Sequence, residues 1–285
     1  MFRNPKELLG RYGLRPKKSW GQNFLVDSNT VERIVDLIDA PPETRIVELG
    51  AGTGVLTHLL AQRYQQVFAI ERDQDLVELL QAEFEGSNVQ VIPNNAAKFR
   101  FEDLPGEGPL CVIGNLPYQI STPILFHLLE QREVFQRAVL MMQKEVADRL
   151  SATPEDGKDY STLSIRFSPY FHIDQSLRVS RNQFHPRPKV DSVVVTMDTR
   201  ETPAVDIQDE KWFAKTVKIA FAQRRKTLYN NLVNGFRDTD KAEIQAIIKE
   251  LSLPEKCRGE TLTIEQFALL ANHLQQNAEE SSSIK

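Results

Sequence analysis

The chain has 285 residues, of which 41% are hydrophobic and 26% charged, as expected for a globular protein of about two domains. It has no apolar run of the roughly 20 residues that a membrane span needs and no signal-peptide pattern, and its two cysteines and five histidines form neither a disulfide framework nor a metal-ligand pattern. The net charge of -4, taken as an average, argues against a nucleic-acid partner. We therefore expect a cytoplasmic protein with no membrane partner and no metal.

The positive charges, however, are concentrated in three segments. Residues 1–20 carry six lysines and arginines against one glutamate, residues 178–189 carry four against no acidic residue, and residues 211–226 carry six against none. Any one of these segments could be an ordinary solvated face. All three contain aromatic side chains, and basic residues interleaved with aromatic ones are typical of a surface that follows a phosphate backbone. The charge distribution therefore favours a nucleic-acid partner.

Short apolar runs alternate with helical patterns in the first half of the chain. We predict buried strands at RIVEL, VFAI, VQVI, LCVI and AVLMM, which are residues 45–49, 67–70, 89–92, 110–113 and 138–142. The spacing leaves room for crossover helices, so the pattern predicts an α/β fold with a parallel, doubly wound sheet. DSVVVTM at 191–197 is expected to close the same sheet.

The pattern changes after Thr199 to an acidic connector with proline, followed by helices from about Asp209. We therefore predict two domains, an α/β domain at residues 1–199 and a smaller all-helical domain at residues 200–285. The polar residues at 276–285 are expected to be disordered.

The first chemical signal is VELGAGTG at residues 47–54. Glycines that directly follow a strand permit a sharp turn and let a ligand approach the backbone. A plain glycine turn and a nicotinamide dinucleotide site are the alternatives, but the dinucleotide motif needs a glycine where this chain has Val55. The next strand ends at Glu71, whose carboxylate could accept both hydroxyls of a ribose. Together the two features predict an adenosyl ligand.

The second signal is NLPY, from Asn115 to Tyr118, directly after the fourth strand. The exocyclic amine of adenine is a poor nucleophile because its lone pair is delocalised into the ring. The side-chain oxygen of Asn115 and the backbone carbonyl of Leu116, held by Pro117, could accept its hydrogens and localise that pair. Tyr118 offers a face for a base drawn out of its stack. An Asn-x-Pro turn with a core tyrosine is the alternative, and the preceding signals favour an amine-methylating site.

Over about residues 10–275 the sequence resembles the KsgA/RsmA family of ribosomal RNA adenine dimethyltransferases. The segments that carry the resemblance are KKSWGQNFL, VELGAGTG, AIERD, GNLPYQISTPILF, QKEVADRL, FHPRPKVDSVVV, AFAQRRKTL and RGETLTIEQFALLANHL. The resemblance implies a Rossmann-like methyltransferase domain, S-adenosylmethionine as methyl donor, and two methyl groups on N6 of each of two adjacent adenosines. In the bacterial family these adenosines lie in the loop of the last helix of 16S rRNA.

The resemblance also implies roles for individual residues. Those expected at the donor are Asn23, Leu25, Gly50, Gly52, Glu71, Asn95 and Asn115. Asn95 stands where the family usually has an aspartate that holds the adenine ring, so it would bind without charge assistance. Phe184 is expected to stack on the target base opposite Tyr118, with a hydrophobic plug as the alternative. The residues expected to contact RNA are Arg187, Lys189, Arg224, Arg225 and Lys226.

The expected partner is 16S rRNA or the immature small ribosomal subunit, bound by a monomer. Three rival functions remain. A methyltransferase of the erythromycin-resistance type would act on large-subunit rRNA, and the QRRKTL segment and long helical C-terminal region argue against it. A DNA adenine methyltransferase usually has aspartate in place of Asn115. From another class, the protein could act chiefly as an RNA-binding assembly factor, with catalysis secondary.

Overall fold

The computed structural model describes residues 4–283 and divides them into two compact units. The first comprises the chain up to Ala147 together with His172–Thr199, and the second comprises Asp148–Phe171 together with the chain from Arg200 onward. The chain passes from the first unit to the second at residues 199–200, and the segment 148–171 also belongs to the second unit. The reason is local packing, because Tyr160 and Ile165 are buried in the helical core of that unit.

A seven-stranded sheet forms the centre of the first unit, with strand order β4-β3-β2-β5-β6-β9-β7. β2 to β6 are mutually parallel, and β9 pairs antiparallel with β6. The strands are β1 (Phe24–Leu25), β2 (Arg45–Leu49), β3 (Gln66–Glu71), β4 (Val89–Pro93), β5 (Leu110–Asn115), β6 (Arg137–Gln143), β7 (Phe171–Val179), β8 (Phe184–His185) and β9 (Ser192–Thr199). All six strands predicted from sequence are present, and so is the α/β class.

Two features of the sheet differ from the sequence prediction. β4 was expected to be buried, but it lies at the edge of the sheet and none of its residues is fully buried. β7 was not predicted, since its sequence FHIDQSLRV mixes polar and apolar residues without a continuous apolar run. β1 and β8 form a separate two-stranded pair in which Leu25 lies opposite Phe184. A two-residue strand has too little pattern to be read from sequence.

The first unit also contains α1 (Pro5–Arg11), α2 (Ser28–Asp36), α3 (Val55–Arg63), α4 (Gln74–Glu83) and α5 (Ser121–Glu130), and the division between units falls within α6 (Lys144–Ser151). Short polar residues cap three of these helices at their N-termini. The side chains of Asn4, Asp27 and Asp73 accept from the backbone N–H groups of Lys6, Thr30 and Asp75, so each satisfies a free N–H group of a first helical turn.

The second unit contains α7 (Thr162–Phe167), α8 (Glu210–Ala220), α9 (Leu228–Gly235), α10 (Lys241–Glu250) and α11 (Ile264–Ser283). Its core includes the fully buried side chains of Phe213, Leu232 and Phe267. α11 continues to Ser283, so the prediction of disorder was wrong for residues 276–283, and residues 284–285 lie outside the described residues. No helix between residues 4 and 283 is long and apolar enough to span a membrane.

Candidate active site

The carboxyl ends of β2, β3 and β5 open onto one cleft with about 1020 Å³ of empty space, including its open mouth. A cleft at this end of a parallel sheet is where α/β proteins bind their ligands. The predicted site residues that line it are Asn23, Leu25, Gly50, Gly52, Glu71, Asn95, Asn115, Leu116, Pro117 and Tyr118. Residues separated by up to about a hundred positions in sequence thus meet at one site. Among residues 4–283, no group of three or more His, Cys, Asp or Glu side chains is arranged to hold a metal ion.

The loop between β2 and α3 is a narrow cradle that requires glycine. Gly52 and Gly54 have φ values of 59° and 77°, in the left-handed region that other residues rarely adopt. A Cβ atom on Gly52 would lie 3.0 Å from the Phe24 ring, and one on Gly54 would lie 2.8 Å from the ring of Phe84. The loop therefore turns tightly and keeps its backbone accessible from the cleft.

Glu71 fixes this loop to the end of β3. One of its carboxylate oxygens accepts from the backbone N–H of Gly52 at 2.9 Å, and the other accepts from Arg72 and Asp73 at 2.8 and 2.9 Å. Burial raises the pKa of Glu71, and the three N–H donors act in the opposite direction by stabilising the charge. A carboxylate can accept about four hydrogen bonds, so Glu71 retains capacity for a ligand in the cleft.

Asn115 ends β5, and its side chain has a defined orientation. Its Nδ2 donates to the backbone carbonyl of Asn23 at 2.9 Å, and a carbonyl can only accept, so Oδ1 is the atom left to accept a hydrogen bond. The amide of Asn23 itself turns away and donates to the carbonyl of Gly21 at 2.9 Å. Asn23 therefore acts through its backbone on Asn115.

Tyr118 is anchored at its hydroxyl. The hydroxyl shares a hydrogen bond of 2.8 Å with Oγ of Ser192, the first residue of β9, and burial raises the pKa of the tyrosine. Because the far end of the side chain is fixed, the ring cannot swing to another χ1 rotamer without breaking this bond. Half-buried and in the wall of the cleft, it presents a rigid aromatic surface to a flat ligand.

Phe184 lies elsewhere. Its side chain is 4% exposed and packs with Leu25, Val31 and Ile34 in a core cluster, and it does not line the cleft. A stacking role needs an exposed ring face, so this structure favours the hydrophobic plug that was the alternative. Through the β1–β8 pairing, Phe184 instead supports Leu25, which does line the cleft.

Asn95 lines the cleft, but its side-chain oxygen already accepts from the backbone N–H of Ala97 at 3.0 Å. An amide oxygen has a second lone pair, so a ligand amine would share this atom with the turn. That arrangement is weaker than the carboxylate expected from the family pattern.

Several residues in or beside the cleft had no role predicted at the site. Trp20 lines the wall with Arg72, whose guanidinium carbon lies 4.1 Å from the centre of the indole. Lys17 is bound to both Asp73 and Asp75, at 2.5 and 2.7 Å, which ties the N-terminal segment to the loop after Glu71. Lys17 and Trp20 lie in the segment KKSWGQNFL, in which only Asn23 and Leu25 had a role predicted at the site. Glu48 and Thr53, within VELGAGTG, also line the cleft.

The basic residues expected to contact RNA differ in what their side chains do. Arg224 is engaged within the second unit, where its guanidinium donates to Glu260, to the carbonyl of Lys158 at 2.7 Å and to that of Gly157 at 2.9 Å. The structure therefore gives Arg224 a bracing role that the RNA prediction did not include. The other four of these basic side chains are exposed and form no hydrogen bond or ion pair with residues 4–283; they are Arg187, Lys189, Arg225 and Lys226.

Comparison with known proteins is consistent with this site. The family model described as ribosomal RNA adenine dimethylase matches residues 13–276. Ribosomal RNA small subunit methyltransferase A of Bacillus cytotoxicus is 43% identical over 277 residues, covering 94% of this chain and 94% of the relative. The protein of that name from a Geobacillus species is 41% identical and covers 95% of each chain.

Two solved structures are similar over nearly the whole chain. A dimethyladenosine transferase from Plasmodium falciparum has a TM-score of 0.75 at 25% identity and covers 90% of this chain and 98% of its own. The 23S rRNA methyltransferase ErmE has a TM-score of 0.67 at 26% identity and covers 89% of this chain and 100% of its own.

Proposed function

The chain belongs to the ribosomal RNA adenine dimethylase family, and on this basis we propose that it transfers two methyl groups to N6 of each of two adjacent adenosines in small-subunit rRNA. The methyl acceptors are assigned to the loop of the 3′-terminal helix of 16S rRNA. The small subunit is favoured over the large one because relatives named for the small subunit are 41–43% identical, whereas ErmE is 26% identical.

The residues of the cleft fit S-adenosylmethionine as donor. The glycine cradle admits a ligand close to the backbone, Glu71 can accept from ribose hydroxyls, and Asn95 can pair with an adenine amine. When bound, S-adenosylmethionine supplies a methyl group activated by a positively charged sulfur. Leu25 and the backbone of Asn23 complete the wall on the N-terminal side.

Asn115 prepares the target amine. Its free Oδ1 accepts a hydrogen from N6, with the backbone carbonyl of Leu116 as the second acceptor, and this draws the nitrogen lone pair out of conjugation with the ring. The proton on N6 becomes acidic once the methyl is attached, so the site needs no strong base. Tyr118 holds the ring of the extruded adenine by stacking.

RNA binding is assigned to the exposed basic side chains of Arg187, Lys189, Arg225 and Lys226. They are free to contact phosphates, whereas Arg224 is not. The protein is proposed to act as a monomer on immature small subunits in the cytoplasm, where its substrate is made. A role in checking subunit assembly is compatible with the same RNA contacts.

The observation that carries this proposal is the hydrogen bond from Asn115 to the Asn23 carbonyl, because it leaves one acceptor directed for an amine. The test is mass spectrometry of nucleosides from each ribosomal subunit, in cells that lack the protein and in cells complemented with wild type or Asn115→Ala. Dimethyladenosine should be lost from the small subunit and restored only by wild type. Loss from the large subunit, or no loss at all, would contradict the assignment.

A further inference from the structure

Glu48 is a buried carboxyl group in the cleft that the proposed reaction does not use. It lies in β2, two residues before Gly50, lines the cleft and is 2% exposed. One of its oxygens accepts from Oγ1 of Thr57 on α3 at 2.5 Å. Within residues 4–283, no lysine, arginine or histidine forms an ion pair or hydrogen bond with it.

The surroundings of Glu48 disfavour its charge. Burial is the main cause that raises its pKa to about 8, the negative charge of Glu71 on β3 acts in the same direction, and the neutral hydroxyl of Thr57 opposes them. At pH 7 the group is therefore mostly a neutral acid. Burying an unpaired charge is costly, and a cation placed beside it in good geometry offsets that cost.

The two carboxyl groups of the cleft differ in their partners. Glu71 is held by three backbone N–H groups, which stabilise its charge without any ligand. Glu48 has one neutral partner, so its charge state depends on what enters the cleft. The donor assigned above carries a positive sulfur and an ammonium group, whereas the product formed by loss of its methyl lacks the sulfur charge. A carboxyl group whose charge depends on a nearby cation can distinguish the donor from this product.

We propose that Glu48 is the counter-ion for the positive charge of the methyl donor, neutral in the free enzyme and ionised when the donor binds, with its proton released to solvent. This inference rests on S-adenosylmethionine being the donor. Because S-adenosylhomocysteine has one positive charge fewer, it gains less from ionised Glu48 and releases less of the proton. Glu48 would thereby favour exchange of spent product for fresh donor between the two methylations of one adenosine.

Calorimetry tests this directly. The heat of binding of S-adenosylmethionine and of S-adenosylhomocysteine to the full-length protein is measured at pH 7 in two buffers of different ionisation enthalpy, which gives the number of protons released. For the wild type we expect a release approaching one proton with S-adenosylmethionine and clearly less with S-adenosylhomocysteine. The titration of the donor's own amino group contributes equally to wild type and variants and cancels in their comparison.

Two carboxamide variants make the test specific. Glu48→Gln keeps the shape and the bond to Thr57, and should lose the proton release and about ten- to a hundredfold in affinity for S-adenosylmethionine, with little change for S-adenosylhomocysteine. Glu71→Gln is the matched control, because the ribose hydroxyls it would contact are common to both ligands, and it should weaken both alike. Thermal unfolding of each variant confirms that it is folded.

The outcomes separate this inference from the function on which it rests. If neither ligand binds the wild type, the donor assignment fails. If both bind but the wild type and Glu48→Gln release the same number of protons, or Glu48→Gln weakens both ligands equally, the counter-ion role is wrong and the donor assignment stands.

Discussion

The side-chain amide of Asn115 donates to the backbone carbonyl of Asn23 at 2.9 Å, across 92 positions of the sequence. Asn115 ends β5, and Asn23 belongs to the N-terminal wall of the cleft. A single hydrogen bond thus orients the side-chain amide of Asn115 and leaves Oδ1 as its free acceptor. In the proposed reaction this acceptor would be in place before RNA binds.

Asn115→Asp is expected to slow methyl transfer, although it adds a stronger acceptor. The carboxylate would place an oxygen against the Asn23 carbonyl, where the amide now donates, so the turn loses a bond and gains a repulsion worth about 1–3 kcal/mol. Single-turnover transfer to small-subunit RNA should fall about ten- to a hundredfold, and Asn115→Ala should abolish nearly all transfer. A wild-type rate for Asn115→Asp would show that the bond to Asn23 does not orient the site.

Glu71→Ala is expected to weaken donor binding by about 1.5–3 kcal/mol, the range for hydrogen bonds to a charged group. The structure adds a second effect, because three backbone N–H groups lose their acceptor and the glycine loop loses its anchor. The melting temperature should therefore fall as well. Calorimetry gives the dissociation constant and thermal unfolding gives the stability. An unchanged dissociation constant in a folded variant would contradict the ribose assignment.

The sequence predicted six of the seven strands of the sheet and ten of the residues that line the cleft, because both depend on local signals. Apolar runs mark the strands, and GAGTG, Glu71 and NLPY each lie at or directly after the end of a strand, so the parallel topology brings them together. What it missed depends on contacts between distant segments. The burial of Phe184 results from its pairing with Leu25, and the bracing role of Arg224 from carbonyls at residues 157 and 158. No local pattern reports such contacts.

The neighbouring basic residues of the second unit should differ in role, with Arg225 and Lys226 contacting RNA and Arg224 stabilising the fold. Arg225→Ala with Lys226→Ala should weaken RNA binding and flatten the plot of log affinity against log salt by roughly 0.7–0.9 per lost phosphate contact, without changing the melting temperature. Arg224→Ala should lower the melting temperature, because two carbonyls and Glu260 lose their donor. Filter binding over a salt series measures the RNA affinity and its salt dependence, and thermal unfolding measures the melting temperature. An intact salt slope in the double variant would place the RNA contact elsewhere.

Stability should depend on pH through Glu48. Its pKa is about 8 in the folded protein and about 4.5 when unfolded, so between these values the folded state holds a proton that the unfolded state has lost. The contribution of this group to the free energy of unfolding therefore falls as pH rises from about 5 to 8 and changes little above that. Glu48→Gln has no titrating group at this position. Its free energy of unfolding relative to the wild type should therefore rise by up to about 1.4 kcal/mol per pH unit in that window. A constant difference across denaturant unfolding at pH 5, 6, 7 and 8 would mean that Glu48 is ionised throughout.

Tyr118 should matter more for the second methylation than for the first. The amine of adenine offers two hydrogens to Asn115 and the Leu116 carbonyl, whereas N-methyladenine offers one, so the intermediate depends more on stacking, worth about 1–3 kcal/mol per base. Tyr118→Ala should therefore accumulate monomethyladenosine, measured by nucleoside mass spectrometry over time. Tyr118→Phe, which loses only the bond to Ser192, should accumulate much less. Phe184→Ala, which empties a core position, should lower stability by about 3–5 kcal/mol. If Tyr118→Ala yields only dimethylated and unmodified adenosine, both steps share one binding mode and the stacking role of Tyr118 is wrong.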